Sequence, residues 1–107
     1  MRRTEKLRAI WAELNAAHFG SGLHPVPVRI TRSRRTYGYF NGPSNRGSAS
    51  IRISTVLADT EQLLRDTMLH EMVHQYLYEI RHPDWDQHGD AFQRHHVRVF
   101  GHAYAEA

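Results

Sequence analysis

The fold is decided by residues 60–80, which read TEQLLRDTMLHEMVHQYLYEI. Apolar side chains recur along this stretch at the spacing of one helix face, and Asp59 or Thr60 can cap its N-terminus. The stretch therefore predicts a long amphipathic helix that runs to about Ile80. Its apolar stripe consists of Leu63, Leu64, Thr67, Met68, Val73 and Leu77.

Two histidines of this helix, His70 and His74, are four residues apart, so both rings project from one face and can bind one metal ion. Glu71 points in a different direction and is suited to act as general base for a zinc-activated water. In an open three-ligand site, zinc lowers the pKa of its water from about 15.7 towards about 7. The pattern predicts a zinc-dependent peptidase. The alternative is a histidine pair that only decorates a surface, because nine of the 107 residues are histidine.

A third metal ligand has to be an imidazole or a carboxylate, because the chain contains no cysteine. A metzincin pattern needs glycine at position 77 and histidine at position 80, where this chain has Leu77 and Ile80. A thermolysin-like pattern needs a glutamate on a following helix, and residues 91–105 contain no acidic side chain. His88, after a loop and directly before the next predicted helix, is the leading candidate. His82, near the end of the metal-binding helix, is its competitor.

The rest of the chain predicts a small α+β domain around this helix. Three short stretches rich in strand-forming residues are separated by turns, which favours a small, mainly antiparallel sheet. The predicted elements besides the metal-binding helix are helix 4–19, strands 25–31, 35–40 and 48–54, and helix 89–100. Because 107 residues is a usual size for one domain, we expect a single domain over residues 1–107.

Two spaced motifs, His70-Glu71-Met72-Val73-His74 and His88-Gly89-Asp90-Ala91-Phe92, resemble those of the SprT-like zinc metallopeptidases. This family includes the DNA–protein crosslink protease Spartan. The upstream segments Leu14-Asn15, Arg35-Thr36-Tyr37-Gly38-Tyr39-Phe40 and Ile51-Arg52-Ile53-Ser54 resemble the first helix and the strands of the family. The resemblance therefore covers nearly the whole chain.

This resemblance implies a minimal zincin fold of the gluzincin-like kind, with one zinc ion per chain and a protein or peptide as substrate. The implied zinc ligands are His70, His74 and His88. Glu71 is then the catalytic base, Gly89 lets the chain pass close to the metal, and Phe92 packs the last helix against the metal-binding helix. Many members carry a C-terminal four-cysteine zinc ribbon, and without cysteine this chain is expected to lack that DNA-binding module.

Peptide hydrolysis also needs a hydrogen-bond donor for the developing oxyanion and a surface that holds the substrate. The sequence offers Tyr78, Tyr39, His95 and His96 as candidates for the oxyanion or for supporting the ligands, without choosing among them. In zincins an exposed strand edge beside the metal helix pairs with an extended substrate. The candidate for that edge is Ser48 to Ser54.

The charge of the chain is mildly basic, with a formal net charge of +3. Arg29, Arg32, Arg34 and Arg35 cluster around the first predicted strands and are candidate contacts to DNA phosphates. A solvated basic surface is the simpler alternative. Two rival functions follow, namely a catalytically silent, zinc-stabilised module that binds nucleic acid, and an interaction protein whose histidines bind no metal.

The location expected from the sequence is the cytoplasm. The N-terminal segment has charges where a signal peptide needs an apolar run, namely at Glu5, Lys6, Arg8 and Glu13. No segment approaches the roughly 18 apolar residues of a membrane span, so no membrane partner is expected. The absence of cysteine fits a reducing compartment.

Overall fold

A computed structural model describes residues 2–43 and 47–105 of the chain. One helix, three strands and two further helices follow one another in the order α1, β1, β2, β3, α2, α3. Their bounds are α1 Arg3–Phe19, β1 Val28–Thr31, β2 Gly38–Asn41, β3 Ser50–Ser54, α2 Glu61–Glu79 and α3 Asp90–Phe100. The α+β class and all six predicted elements are therefore confirmed, and the strands are shorter than their apolar patterns suggested.

The ends of the helices follow from local chemistry. Thr60 caps α2, because its side-chain oxygen accepts a hydrogen bond of 3.1 Å from the backbone N–H of Leu63. At the end of α1, Gly20 adopts the left-handed conformation with φ of 58°, and its N–H donates to the carbonyl of Asn15. The sequence left Asp59 and Thr60 open as caps, and the structure selects Thr60.

The sheet is mixed, with the strand order β1-β3-β2. Strand β3 pairs in parallel with β1 and in antiparallel with β2. The expectation of a mainly antiparallel sheet was therefore wrong for half of the pairing. After Thr31 the chain passes beyond the position of β3 before it forms β2, so β3 returns between the other two strands and runs parallel to β1.

The core lies between one face of the sheet and the helices. Strand β3 contributes Ile51 and Ile53, neither of which is exposed at all. Packed around them are Val28 and Phe40 from the sheet, Leu7, Ile10 and Leu14 from α1, and Met68, Met72, Val73 and Leu77 from α2. Burying these side chains supplies the main driving force for folding. It also fixes α2 firmly beside the sheet.

A buried polar network joins α1 to α2. The side chain of Gln75 is fully buried and accepts a hydrogen bond from the Trp11 indole N–H at 3.1 Å. Its amide nitrogen donates to the carbonyl of His24 and to the carboxylate of Glu79. Because these polar atoms are all paired, the network orients the helices without the energetic cost of an unsatisfied buried group.

Strand β2 approaches α2 closely because residue 38 is glycine. A Cβ atom on Gly38 would lie 2.7 Å from the backbone oxygen of Arg52 and 3.0 Å from Cγ2 of Thr67. Thr67 lies one turn before His70 on α2. The absence of a side chain therefore brings the edge of the sheet next to the histidine-bearing part of the helix. Within residues 2–43 and 47–105, no helix is long and apolar enough to cross a membrane.

Candidate metal centre

Three imidazoles meet at one place on the surface of α2. His70 and His74 lie on successive turns of that helix, and His88 lies in the loop just before α3. One ring nitrogen from each comes within 4.8 Å of the others. The ring centroids of the three are separated by 5.1–5.2 Å. The structure therefore brings His88, the third candidate ligand, together with His70 and His74.

The ring of His74 is oriented by a hydrogen bond on its far side. Its Nδ1 donates to the backbone carbonyl of Trp85 at 2.7 Å, which leaves Nε2 as the nitrogen with a free lone pair. That Nε2 lies 3.2 Å from Nε2 of His88. Tetrahedral zinc with Zn–N bonds of about 2.0–2.1 Å places its ligand nitrogens about 3.3–3.4 Å apart. The observed spacing and the all-imidazole donor set therefore fit zinc.

The loop that supplies this carbonyl and His88 is held by an aromatic cluster. The Trp85 ring meets Phe40 of β2 edge-on at 5.8 Å and Tyr78 of α2 at 5.2 Å. Gly42 provides the space, since a Cβ there would lie 3.2 Å from both Trp85 and Tyr78. Because the indole is anchored to the strand and the helix, the Trp85 carbonyl is held in place to orient His74.

Two of the three clustered histidines, His70 and His74, are favoured in their neutral form by their surroundings. Burial, together with electrostatic repulsion from the nearby His74, His88 and His96, lowers the pKa of His70 to about 3. Burial also lowers the pKa of His74, although the bond to Trp85 opposes this shift. Neutral imidazole is the form that binds a metal ion. At neutral pH, protons therefore compete weakly for these two rings.

Glu71 is a buried carboxyl group beside the histidines. Only 6% of the residue is exposed. Burial raises the pKa of its carboxyl, a hydrogen bond from the backbone N–H of Phe40 opposes part of this rise, and the resulting pKa is about 8. Glu71 lines the same cavity as the three imidazoles. A carboxyl with a raised pKa in such a position is suited to accept and return a proton.

The histidines open into a cavity of about 820 Å³. Strand β2 and the segment before it, residues 35–40, form one part of its wall. Residues 102–105, which follow α3, form another part. Phe92 of α3 lies beneath the imidazoles, only 1% exposed, and stacks on His74 at 4.5 Å. The expected packing of α3 against α2 through Phe92 is therefore present.

The four side chains proposed for the oxyanion or for supporting the ligands divide into two pairs. Tyr39 and His96 line the cavity. Tyr78 instead packs against Trp85 and Phe40, and His95 packs against Tyr76 at 4.8 Å, so neither lines it. His96 is buried, and its Nδ1 donates to the carbonyl of His102 at 2.6 Å. A neutral ring bonded in this way has an acceptor at Nε2, not a donor.

Three further expectations are settled by position. His82 is not among the three clustered histidines of the described residues. A Cβ on Gly89 would meet nothing within 4 Å, so close passage of the chain is not the reason for that glycine. Strand β3, which includes most of Ser48 to Ser54, is paired on both sides and cannot add a substrate strand. The edge beside the metal centre is β2.

Tyr104 is a cavity residue that sequence reasoning missed. Its ring lies 4.7 Å from the ring of His70 and 4.7 Å from the ring of His88. It follows the last helix by four residues, in a segment with no periodic pattern. The one signal in the sequence was an aromatic side chain in a segment of otherwise small or polar residues after the last helix.

The four arginines proposed as DNA contacts are all exposed, namely Arg29, Arg32, Arg34 and Arg35. Arg29 and Tyr39 flank Arg52 in register across the outer face of the sheet, with the Arg52 guanidinium 5.8 Å from the centre of the Tyr39 ring. Arg35 lines the rim of the cavity. Arg52 was not among the predicted contacts, although the Ile-Arg-Ile alternation of β3 places it on this outer face.

Comparisons with known proteins agree with this geometry. A family model described as the SprT-like family matches residues 7–106 of the chain. No curated protein matches it. Among solved structures, the chain is similar to that of the metallopeptidase zymogen jannalysin of Methanocaldococcus jannaschii, with a TM-score of 0.57 and 19% identity. The match covers 85% of this chain and 78% of that one, and confirms the zincin-like fold.

Proposed function

The chain belongs to the SprT-like family of metallopeptidases, and on this premise we propose that it is a zinc-dependent endopeptidase. Its substrates are exposed or unfolded protein segments. The observation that carries the proposal is the meeting of three imidazole nitrogens within 4.8 Å beside a buried carboxyl group. A purely structural metal site has no use for a proton acceptor next to an open coordination position.

In this proposal His70, His74 and His88 hold one zinc ion per chain. When bound, zinc polarises the scissile carbonyl and acidifies water, which makes water a sufficient nucleophile near neutral pH. The protein supplies His70 and His74 as neutral rings, and the carbonyl of Trp85 fixes the ring of His74. These features favour metal binding because little has to be rearranged or deprotonated before the ion binds.

Glu71 is the proposed general base. Its carboxylate accepts the proton of the attacking water and then delivers that proton to the leaving amine. A hydrogen bond from the N–H of Phe40 ties the carboxylate of Glu71 to β2. A nearby cation stabilises the ionised form of Glu71 and opposes the effect of burial on its pKa. Glu71 is therefore expected to be ready to accept a proton at neutral pH once the metal is bound.

Strand β2 is the proposed binding edge for the substrate main chain. The N–H of Ser54 donates a hydrogen bond to the carbonyl of Tyr37. Because alternate residues of a strand face the same neighbour, the backbone groups of Tyr37 and Tyr39 point towards β3. The backbone groups of Gly38 and Phe40 therefore point to the opposite side, where the Phe40 N–H is bonded to Glu71, so that the substrate would pair with the backbone groups of Gly38 and with the Phe40 carbonyl. Both residues line the cavity. Main-chain pairing at this edge would accept many sequences, which suits a peptidase that recognises unfolded segments.

The decisive experiment compares Glu71→Gln with the unsubstituted protein. Glu71→Gln should retain one zinc ion per chain and lose cleavage of a fluorophore-labelled unfolded protein by about 100-fold or more, the usual effect of losing a general base. Glu61→Gln, at the exposed start of the same helix, is the matched control and should cleave normally. Unchanged cleavage by Glu71→Gln would remove Glu71 from this role.

A second part of the proposal concerns proteins bound to DNA. Arg29, Arg52 and Tyr39 form a row on the outer face of the sheet, where guanidinium groups can contact phosphates and an aromatic ring can stack on a base. DNA affinity should then fall with salt, with a slope of about −0.9 per phosphate contact in log–log form. Arg29→Ala should reduce that slope by about one contact. A flat salt response would refute this surface.

The rival function is a silent zinc module that only binds nucleic acid. It shares the histidines and the arginines with the peptidase but gives no role to Glu71, which is buried at an energetic cost. Retention of DNA binding together with a complete lack of peptide cleavage by the zinc-loaded protein would favour that rival.

A further inference from the structure

The segment after α3 returns over the metal centre. Gly101 adopts the left-handed conformation with φ of 83°, which ends the helix and reverses the chain. Residues 102–105 then run along the cavity wall. This path brings the ring of Tyr104 against His70 and His88, each at a centroid distance of 4.7 Å.

One side-chain amide joins this segment to the loop that carries His88. The backbone N–H of Tyr104 donates to Oε1 of Gln93 at 2.8 Å, and Nε2 of Gln93 donates to the carbonyl of Tyr104 at 3.1 Å. The same Nε2 also lies 3.3 Å from the carbonyl of His88 and donates to it. Gln93 is therefore bonded to the backbone of both residues at once.

The rings around His88 complete the arrangement. The His88 imidazole contacts Phe92 at 4.6 Å and Tyr104 at 4.7 Å. Phe92 is fixed by its burial in the core. Tyr104 has no such anchor, because it follows the last helix and is only partly buried. Its backbone is held by the two hydrogen bonds that Gln93 makes with it, and His96 holds the same segment two residues earlier, at the carbonyl of His102.

We propose that Gln93 is a positioning residue of the metal centre, fixing the backbone of His88 directly and the ring of Tyr104 against the imidazoles of His70 and His88. The inference rests on the proposed function, since it takes these histidines to be the zinc ligands. Groups that orient metal ligands typically contribute 10–100-fold to metal affinity, because without them the ligands must be ordered when the metal binds.

The test measures zinc affinity by competition with a chromophoric chelator. Gln93→Leu keeps the approximate size of the side chain and removes all three hydrogen bonds, so zinc should bind about 10-fold or more weakly. Gln87→Leu is the matched control, because Gln87 lies in the same loop, one residue before His88, and is exposed. Unchanged affinity in Gln93→Leu, or an equal loss in Gln87→Leu, would overturn the proposal.

A second variant keeps the test valid if Gln93→Leu does not fold. Gln93→Glu retains an acceptor for the Tyr104 N–H but loses both donated hydrogen bonds. Simple electrostatics predicts that the added negative charge strengthens binding of a cation. The positioning role predicts about 10-fold weaker binding instead. Unchanged or tighter binding by Gln93→Glu would contradict the inference.

Tyr104 separates the ring contact from the backbone bonds. Tyr104→Phe keeps the ring and should bind zinc as the unsubstituted protein does, whereas Tyr104→Ala should bind it less tightly. Equal affinity of the two variants would refute the part assigned to the ring.

If His88→Ala retained full zinc affinity, the proposed function would fail. If His88→Ala lost zinc but Gln93→Leu, Gln93→Glu and Tyr104→Ala all kept full affinity, the positioning role alone would fail.

Discussion

Replacing Glu71 by glutamine should stabilise the metal-free protein, and the gain should grow with pH. Burial raises the pKa of the Glu71 carboxyl from 4.5 to about 8. Between these values the folded chain holds a proton that the unfolded chain has released, so the fold loses stability as the pH rises. Glutamine is neutral at every pH, and its oxygen can still accept a hydrogen bond from the Phe40 N–H.

The size of the effect follows from the same pKa values. Within the window from 4.5 to 8, each pH unit lowers the free energy of unfolding of the unsubstituted protein by about 1.4 kcal/mol. At pH 7 the accumulated loss is about 3 kcal/mol, and above the window it levels off at about 5 kcal/mol. Well below pH 4.5 the carboxyl is protonated in both states, and its ionisation then makes no difference between the two proteins.

The assay is urea unfolding of the chelator-treated proteins, followed by circular dichroism at pH values from 4.5 to 8. The difference in unfolding free energy between Glu71→Gln and the unsubstituted protein should rise steadily across this range. Glu61→Gln, whose side chain is exposed, should show no such rise. A difference that stays constant with pH would refute the reasoning. It would mean that ionising Glu71 in the folded chain does not lower the free energy of unfolding.

Three further predictions concern the scaffold of the site. Gly38→Ala should lower the free energy of unfolding by about 1–3 kcal/mol in urea titrations, because its Cβ would lie 2.7 Å from a backbone oxygen. Gly89→Ala, where a Cβ meets open space, should change it by less than about 0.5 kcal/mol, and equal effects would contradict the packing. Trp85→Ala should weaken zinc binding about 10-fold, measured by chelator competition, because the carbonyl that orients His74 loses its anchor. His82→Ala should retain zinc fully, and its loss in a metal assay would show that the wrong loop histidine was chosen.

The sequence predicted what depends on short-range periodicity. The positions of α2, its apolar stripe and the shared face of His70 and His74 all follow from a repeat of 3.6 residues per turn. The resemblance to the SprT-like family supported the choice of His88 over His82 and added the packing role of Phe92. Each of these features involves residues on one helix or two motifs with a recognisable spacing.

The sequence did not predict features that depend on how distant segments pair. Strand β3 has the most regular alternation, yet its place in the middle of the sheet depends on the path of the chain between β1 and β2. Tyr78 is one turn beyond His74 on the same helix, but Trp85 packs against it and separates it from the cavity. Tyr104 reaches the metal centre only because Gly101 reverses the chain and Gln93 binds the segment that follows.

The central claim is that His70, His74 and His88 bind one zinc ion and leave one coordination position open. X-ray absorption spectroscopy of the zinc-loaded protein tests it most directly. We predict three imidazole nitrogens at about 2.0–2.1 Å and one further oxygen ligand, and only two imidazoles in His88→Ala. A spectrum with fewer than three imidazoles in the unsubstituted protein, or with four protein ligands, would contradict the claim.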